Sequence, residues 1–171
     1  MVLQEQSQHL LILSLLPFGG NISEMEFRPV TVEDAEDLVG ATPEGSSPSE
    51  ITVEVTREWI AKDDPTRIHF IAEVDGKPIG SVRSNLRDGK YNLSYFLLPE
   101  ARGKGYGKEM VFTFANTYHH FEPLRCVIKK GNIASEKIAA WFKLQPVKEE
   151  GDFITWEDPS YDREIDYALN R

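Results

Sequence analysis

Three runs of alternating apolar and polar residues, Arg67–Val74, Pro78–Leu86 and Tyr91–Leu98, are joined by Asp75-Gly76 and Asp88-Gly89. An Asp-Gly pair supplies two successive residues that tolerate positive φ, which tight hairpin turns require. Connections this short permit only antiparallel pairing, so the centre of the chain is a three-stranded meander. The remaining elements have to be built around that sheet. Before it, residues 26–30 read as a strand. Thr31 then caps a helix to about Val39, with Asp34 as its capping-box partner. The Pro-, Gly- and Ser-rich stretch 41–49 is a loop. Residues 50–62 place Ile51, Val55 and Trp59 at helical spacing, although Ile51-Thr52-Val53 would serve equally well in a strand.

After the meander, Met110, Val111, Phe114, Ala115 and Tyr118 form the apolar stripe of a helix. Residues 124–128 follow as a compact strand. A helix opening after Asn132 carries Ala134, Ile138, Trp141 and Phe142. Two last strands are expected at 147–156, with a tight Gly151-Asp152 break inside it, and at 164–170. This order describes one α/β domain over residues 25–171 with a mixed sheet and no internal repeat.

Residues 1–24 stand apart. Their apolar run at 10–18 is broken by Ser14 and Pro17, and no Lys or Arg precedes it, so it reads as neither a membrane span nor a signal peptide. It is expected to be an extension, either an arm or a misassigned start upstream of Met25. The alternative is a helix packed on the domain, or on the second subunit of a homodimer. A lone Cys126 excludes an internal disulfide, and the expected compartment is the cytoplasm.

The net charge of −9 argues against a nucleic-acid partner. It is unevenly spread. Residues 1–66 carry −10, residues 67–145 carry +6 and residues 146–171 carry −5.

Within the basic middle lies Arg102-Gly103-Lys104-Gly105-Tyr106-Gly107-Lys108, between a strand and a helix. Glycines allow close approach of a ligand to the backbone, and a helix start offers free N–H groups and a positive dipole end. With three cations added, this is a phosphate site. It is not a Walker loop, because Glu109 follows Lys108 and Arg stands at 102 where a glycine belongs. It is not a dinucleotide fingerprint either, because the glycines run G-x-G-x-G after a meander. A merely flexible basic loop remains the alternative.

The segment Leu97-Leu98-Pro99-Glu100-Ala101-Arg102-Gly103-Lys104-Gly105-Tyr106-Gly107 resembles the R/Q-x-x-G-x-G/A signature of the GNAT superfamily of N-acetyltransferases, which bind acetyl-coenzyme A. Asn132-Ile133-Ala134-Ser135 is similar to the family's second landmark, N-x-x-S at the next helix start. The resemblance implies a mostly antiparallel, twisted sheet of about seven strands with about four helices. It implies that the amides of residues 102 to 107, with Lys108, hold pyrophosphate. Phe96 and Leu97 would pair their backbone with pantetheine, and Asn132 would hydrogen-bond to it. An amine acceptor completes the reaction.

The family's usual acid and base are missing from the sequence. The fourth strand reads Tyr91, Asn92, Leu93, Ser94 where many relatives place a Glu, and Ala139 stands where many place a Tyr. Glu73 is the candidate base, with Ser135 and Tyr95 as candidate proton relays through water. His69 reads as a packing residue, and His119-His120 as groups facing a helix dipole. Nothing gathers at metal-ligand spacing, so no metal is expected.

In the family, the first helices and last strands build the acceptor side, and here these are the acidic segments. The expected substrate is therefore a cationic primary amine acetylated from acetyl-coenzyme A. The alternative is a coenzyme-A-binding sensor or partner-binding module without catalysis.

Overall fold

The computed structural model describes residues 25–41, 52–62, 64–118 and 123–159. The expected extension 1–24, all of the expected loop 41–49 but Ala41, His119-His120 and the strand 164–170 lie outside the described residues, and Ala41 ends a helix instead. Seven strands in the described residues form one sheet in the order β1-β2-β3-β4-β5-β7-β6. They are β1 (Met25–Pro29), β2 (Arg67–Val74), β3 (Lys77–Arg87), β4 (Lys90–Leu97), β5 (Leu124–Lys129), β6 (Gln145–Glu150) and β7 (Phe153–Glu157). Four α-helices among the described residues accompany them: α1 (Ala35–Ala41), α2 (Val53–Ala61), α3 (Tyr106–Tyr118) and α4 (Ile133–Trp141).

The meander is present as β2–β3–β4. Asp75 and Gly76 adopt φ of 52° and 68°, and Asp88 and Gly89 adopt 51° and 71°, the left-handed pairs that two-residue turns need. Where the sequence left 50–62 open between helix and strand, a helix forms. The Thr52 hydroxyl accepts from the Val55 amide and so caps α2. Thr31 begins a 3₁₀ turn over Val32–Asp34 that leads into α1, and the Asp34 carboxylate reaches back to the Thr31 amide at 2.8 Å. The expected strand 147–156 is instead a hairpin, β6 and β7, folded at Gly151 with φ 54°.

Strand register assigns the faces. Directly opposed residues share a side, so Phe70, Val82 and Tyr95 form one cross-strand row and His69, Arg83 and Ser94 a row on the other side. The first side packs on α3, where Met110, Val111 and Phe114 meet Ala72, Val74, Val82 and Leu93. Phe114 is fully buried beside Phe27, Phe70 and Tyr118. Cys126, Ile128 and Leu124 continue this core with Ala115 and with Ala139 of α4. The second side lies under α1 and α2, and Trp59 of α2 stands over it.

The order of elements leaves one discontinuity. β4 and β5 are the single parallel neighbours among the described strands, and they pair only at Tyr91↔Leu124 and Asn92↔Arg125. β5 is meanwhile held along its whole length by β7, over five antiparallel pairs from Arg125↔Glu157 to Lys129↔Phe153. From Leu93 onward β4 follows β3 while β5 follows β7, and the sheet splits into a wedge.

Candidate functional site

The wedge opens a cleft of about 860 Å³. Ser94, Tyr95 and Phe96 line it from β4, and Cys126, Val127, Ile128 and Lys129 line it from β5. Asn132 and Ser135 close one end. The Asn132 side-chain Oδ1 caps α4 by accepting from the Ser135 backbone amide at 3.2 Å, which fixes the Asn132 side chain at the helix start.

Past the end of β4, a 3₁₀ turn at Pro99–Ala101 leads into the glycine loop. Gly103 and Gly105 adopt φ of 74° and 88°, conformations costly for any residue with a Cβ. Two positive-φ residues before a helix turn successive amides toward one side. Residues 103–107 make no backbone hydrogen bond through those amides, so the N-terminus of the 13-residue α3 presents them with its positive dipole end. Arg102 is tied back by a bond from its Nε to the Leu97 carbonyl at 3.0 Å, and the Lys108 ammonium lies 4.8 Å above the Trp141 ring. Tyr106 packs against the core. Gly107 is buried, and a Cβ there would meet Ile138 and Leu97 at 3.4 Å, so its smallness lets α3 close on β4 and α4.

The sequence-derived residues thus divide. Tyr95, Phe96, Asn132 and Ser135 share one cleft, while Leu97 and residues 102–108 lie beyond it where β4 ends. Glu73 is elsewhere. Its carboxylate accepts from Arg28 Nε at 2.9 Å, outside the cleft lining, and Arg28 also grips Asp34 through two nitrogens at 2.7 and 2.9 Å. Glu73 stands level with the end of β4 but two strands from the wedge, and its carboxylate is already engaged by a guanidinium, so this geometry does not support it as the base. Ala139 faces the core and is buried, so α4 sends no side chain into the cleft from that position.

Tyr95 is the polar group buried at the wedge. Burial pushes its hydroxyl up to about 12, opposed by the Ser135 hydroxyl beside it, and among the described residues Oη makes no hydrogen bond of full geometry. Cys126 is also driven up to about 12 by burial, so it is a protonated, inert thiol. Three carboxylates among the described residues line the cleft, and each already faces a cation. Asp88 lies 3.6 Å from Arg125, Glu150 lies 2.7 Å from Lys148, and Glu157 binds Lys90 and Arg125. Burial raises Glu157, but those two bonds outweigh it and hold its pKa low.

Three residues that the sequence did not mark as functional sit on the α2 side. His69 Nε2 lies 2.7 Å from the Ser81 hydroxyl, while its Nδ1 is buried without a partner. Burial, aided by the charge of Arg83, lowers its pKa to about 3 and keeps the ring neutral. Arg83 and Trp59 complete the group, the guanidinium carbon 4.8 Å from the ring centroid. The available signal was the alternation Ser81, Arg83, Asn85 on one side of β3, which looks like any solvated strand face until α2 covers it. No cluster among the described residues could hold a metal ion, and no described helix is long and apolar enough to cross a membrane.

Comparison with known proteins adds the following. Residues 24–145 match the family described as Acetyltransferase (GNAT) domain. A solved acetyltransferase from Thermus thermophilus is 21% identical, superposes with a TM-score of 0.64, and is matched over 79% of this chain and 96% of that one. Spermidine N-acetyltransferase from Vibrio cholerae, solved with CoA and spermine, is 12% identical with a TM-score of 0.64, over 79% and 94% of the chains. The GNAT domain of a protein from S. lividans is 16% identical with a TM-score of 0.62, over 78% and 89%. A search of curated proteins finds no match. Likeness at these identities is likeness of fold.

Proposed function

Because the chain belongs to the GNAT acetyltransferase family, we propose that it transfers an acetyl group from acetyl-coenzyme A to a primary amine. The observation that carries this reading is the wedge between β4 and β5, with the glycine loop and the open amides at the start of α3 following directly on the end of β4. Backbone amides with Lys104 and Lys108 suit a pyrophosphate, and a strand edge without a ladder partner suits an amide-bearing pantetheine arm. In this assignment residues 102–107 and Lys108 hold the phosphates. Phe96 and Leu97 align the arm by their backbone, and Asn132 steadies it from the head of α4.

The chemistry forms a C–N bond and breaks a C–S bond. The amine loses a proton and the departing sulfur gains one. A free aliphatic amine, with a pKa of about 8–10.4, is largely protonated at neutral pH. With every described cleft carboxylate already paired, that proton leaves to water in the open cleft. Tyr95 keeps its own proton near neutrality, and in this reading its hydroxyl donates toward the sulfur, with Ser135 alongside. We place the domain at residues 25–171 and the protein in the cytoplasm.

A cationic acceptor fits this cleft poorly. The acidic first segment contributes Leu38, Val55, Thr56 and Trp59 to the lining and, among the described residues, no carboxylate. The scarcity of a free base favours one second reading, a coenzyme-A-binding module without turnover.

One series of measurements decides between them. Millimolar acetyl-coenzyme A should raise the melting temperature by several degrees, and Gly105→Glu, which puts a side chain and an anion at φ 88°, should abolish the rise. Thiol release across a panel of amines should then show turnover. A rise without turnover for any amine establishes the module instead, and no rise removes both readings.

A further inference from the structure

We propose that the acceptor carries a carboxylate beside its amine, and that Arg83 is the residue that binds it. This rests on the acetyltransferase reading and names the substrate class of the same site.

Arg83 lies in the middle of β3, half-buried on the face beneath α2, in the cleft lining. Two guanidiniums approach the Trp59 ring, Arg67 at 4.2 Å and Arg83 at 4.8 Å. Their surroundings differ. Arg67 is compensated by Asp64 at 3.1 Å and by the backbone carbonyls of Trp59 at 2.8 Å and Lys62 at 2.5 Å. Arg83 has the ring face and, among the described residues, no carboxylate and no hydrogen-bond acceptor. Burial and the neighbouring Arg67 both disfavour its charge. A cation withdrawn from water beside a second cation is costly unless an anion joins it. The planar fork of a guanidinium matches a carboxylate in two parallel hydrogen bonds.

Its neighbours complete the site. His69 and Ser94 flank Arg83 in one cross-strand row. In the tautomer whose Nε2 accepts from Ser81, the hydrogen sits on Nδ1, the buried atom without a partner. The next row toward the wedge on this face holds Phe96, one same-face step or about 7 Å away. Amine at the wedge and carboxylate at Arg83 are thus separated by the length of an amino acid. The pyrophosphate is not the anion in question, because the glycine loop starts α3 on the opposite side of the sheet.

The test compares matched amines in the thiol-release assay: γ-aminobutyrate with butylamine, and glutamate with its dimethyl ester. A short peptide beginning with Glu distinguishes a protein N-terminus from a free amino acid as the source. The carboxylates should be preferred about 10- to 100-fold in kcat/KM. Arg83→Gln should erase that preference through KM for the carboxylates alone, and Arg83→Lys, which keeps the charge but not the fork, should restore part of it. A melting-temperature rise with acetyl-coenzyme A shows that each variant is folded.

Equal use of the matched amines, or an equal loss on both with Arg83→Gln, overturns the inference and leaves the transferase standing. If no amine is turned over, binding decides. A γ-aminobutyrate-induced stabilisation of the coenzyme-A-bound protein that Arg83→Gln removes keeps the carboxylate site and ends the transferase reading, whereas no stabilisation ends both.

Discussion

His69 is a base that the fold keeps from acting as one. Its ring is enclosed by Trp59 at 5.2 Å, by Ser81 and by the charge of Arg83, and it is neutral down to about pH 3. An unfolded histidine takes its proton near pH 6.5. Above pH 6.5 both states are neutral at this residue, so it adds no slope to the stability. Between 6.5 and about 3 the unfolded chain binds the proton and the folded chain does not, so stability falls as pH falls. Asp34, held down to about 2 chiefly by its bonds to Arg28, adds its own loss only below about pH 5, where the unfolded carboxyl begins to protonate. Urea midpoints measured from pH 7 to pH 4.5 should therefore decline for the wild type and decline much less for His69→Gln. Equal slopes would mean that the ring is protonated in the folded protein. The sequence offered His69 only as an apolar-strand residue, because its neighbours come from two other strands, β3 and β4, and from α2. A row assembled across strands has no signature within any one of them.

At the level of elements, what could be read was what depends on adjacent residues. The Asp-Gly turns, the Thr31 and Asn132 caps and the apolar stripe of α3 all have their causes within a few positions of the chain. The β6–β7 hairpin was read as one strand because Gly151-Asp152 looks like a kink until Glu150 and Phe153 are seen paired. The wedge has no signature within any one strand, since its cause is a competition between β3 and β7 for the strands between them. Gly80 marks how tightly β3 holds its side of that contest. A Cβ on Gly80 would stand 2.2 Å from the Phe96 carbonyl oxygen and 3.1 Å from the Leu97 Cα, which is backbone that cannot swing aside. Gly80→Ala must push β4 toward the wedge. It should lower the urea midpoint, corresponding to about 1–3 kcal/mol at unchanged slope, and raise KM for acetyl-coenzyme A through displaced Phe96 and Leu97. A midpoint lowered with KM untouched would place the cofactor arm away from that backbone.

For the whole molecule, net charge and site charge have opposite signs. The chain carries −9, yet Arg83, Arg87, Arg125, Lys129 and Lys148 line the cleft against Asp88, Glu150 and Glu157. Which sign an acceptor meets depends on range. At about 0.01 M salt the screening length is about 30 Å and the entire surface is felt, whereas at about 0.15 M it is about 8 Å and only the cleft counts. If the acidic segments steered substrate, a polyamine would be used best at low salt, and its KM would rise as salt is added. If the cleft lining governs, glutamate should show that rise, because salt screens its attraction to Arg83 and the other cations of the lining. A polyamine KM should stay level or fall, because salt screens a repulsion. Initial rates for both acceptors between about 20 and 300 mM NaCl, at saturating acetyl-coenzyme A, give two slopes of opposite sign under the cleft reading. A rising KM for the polyamine would return the decision to the net charge, and the acidic flanks would then be the surface that the acceptor sees first.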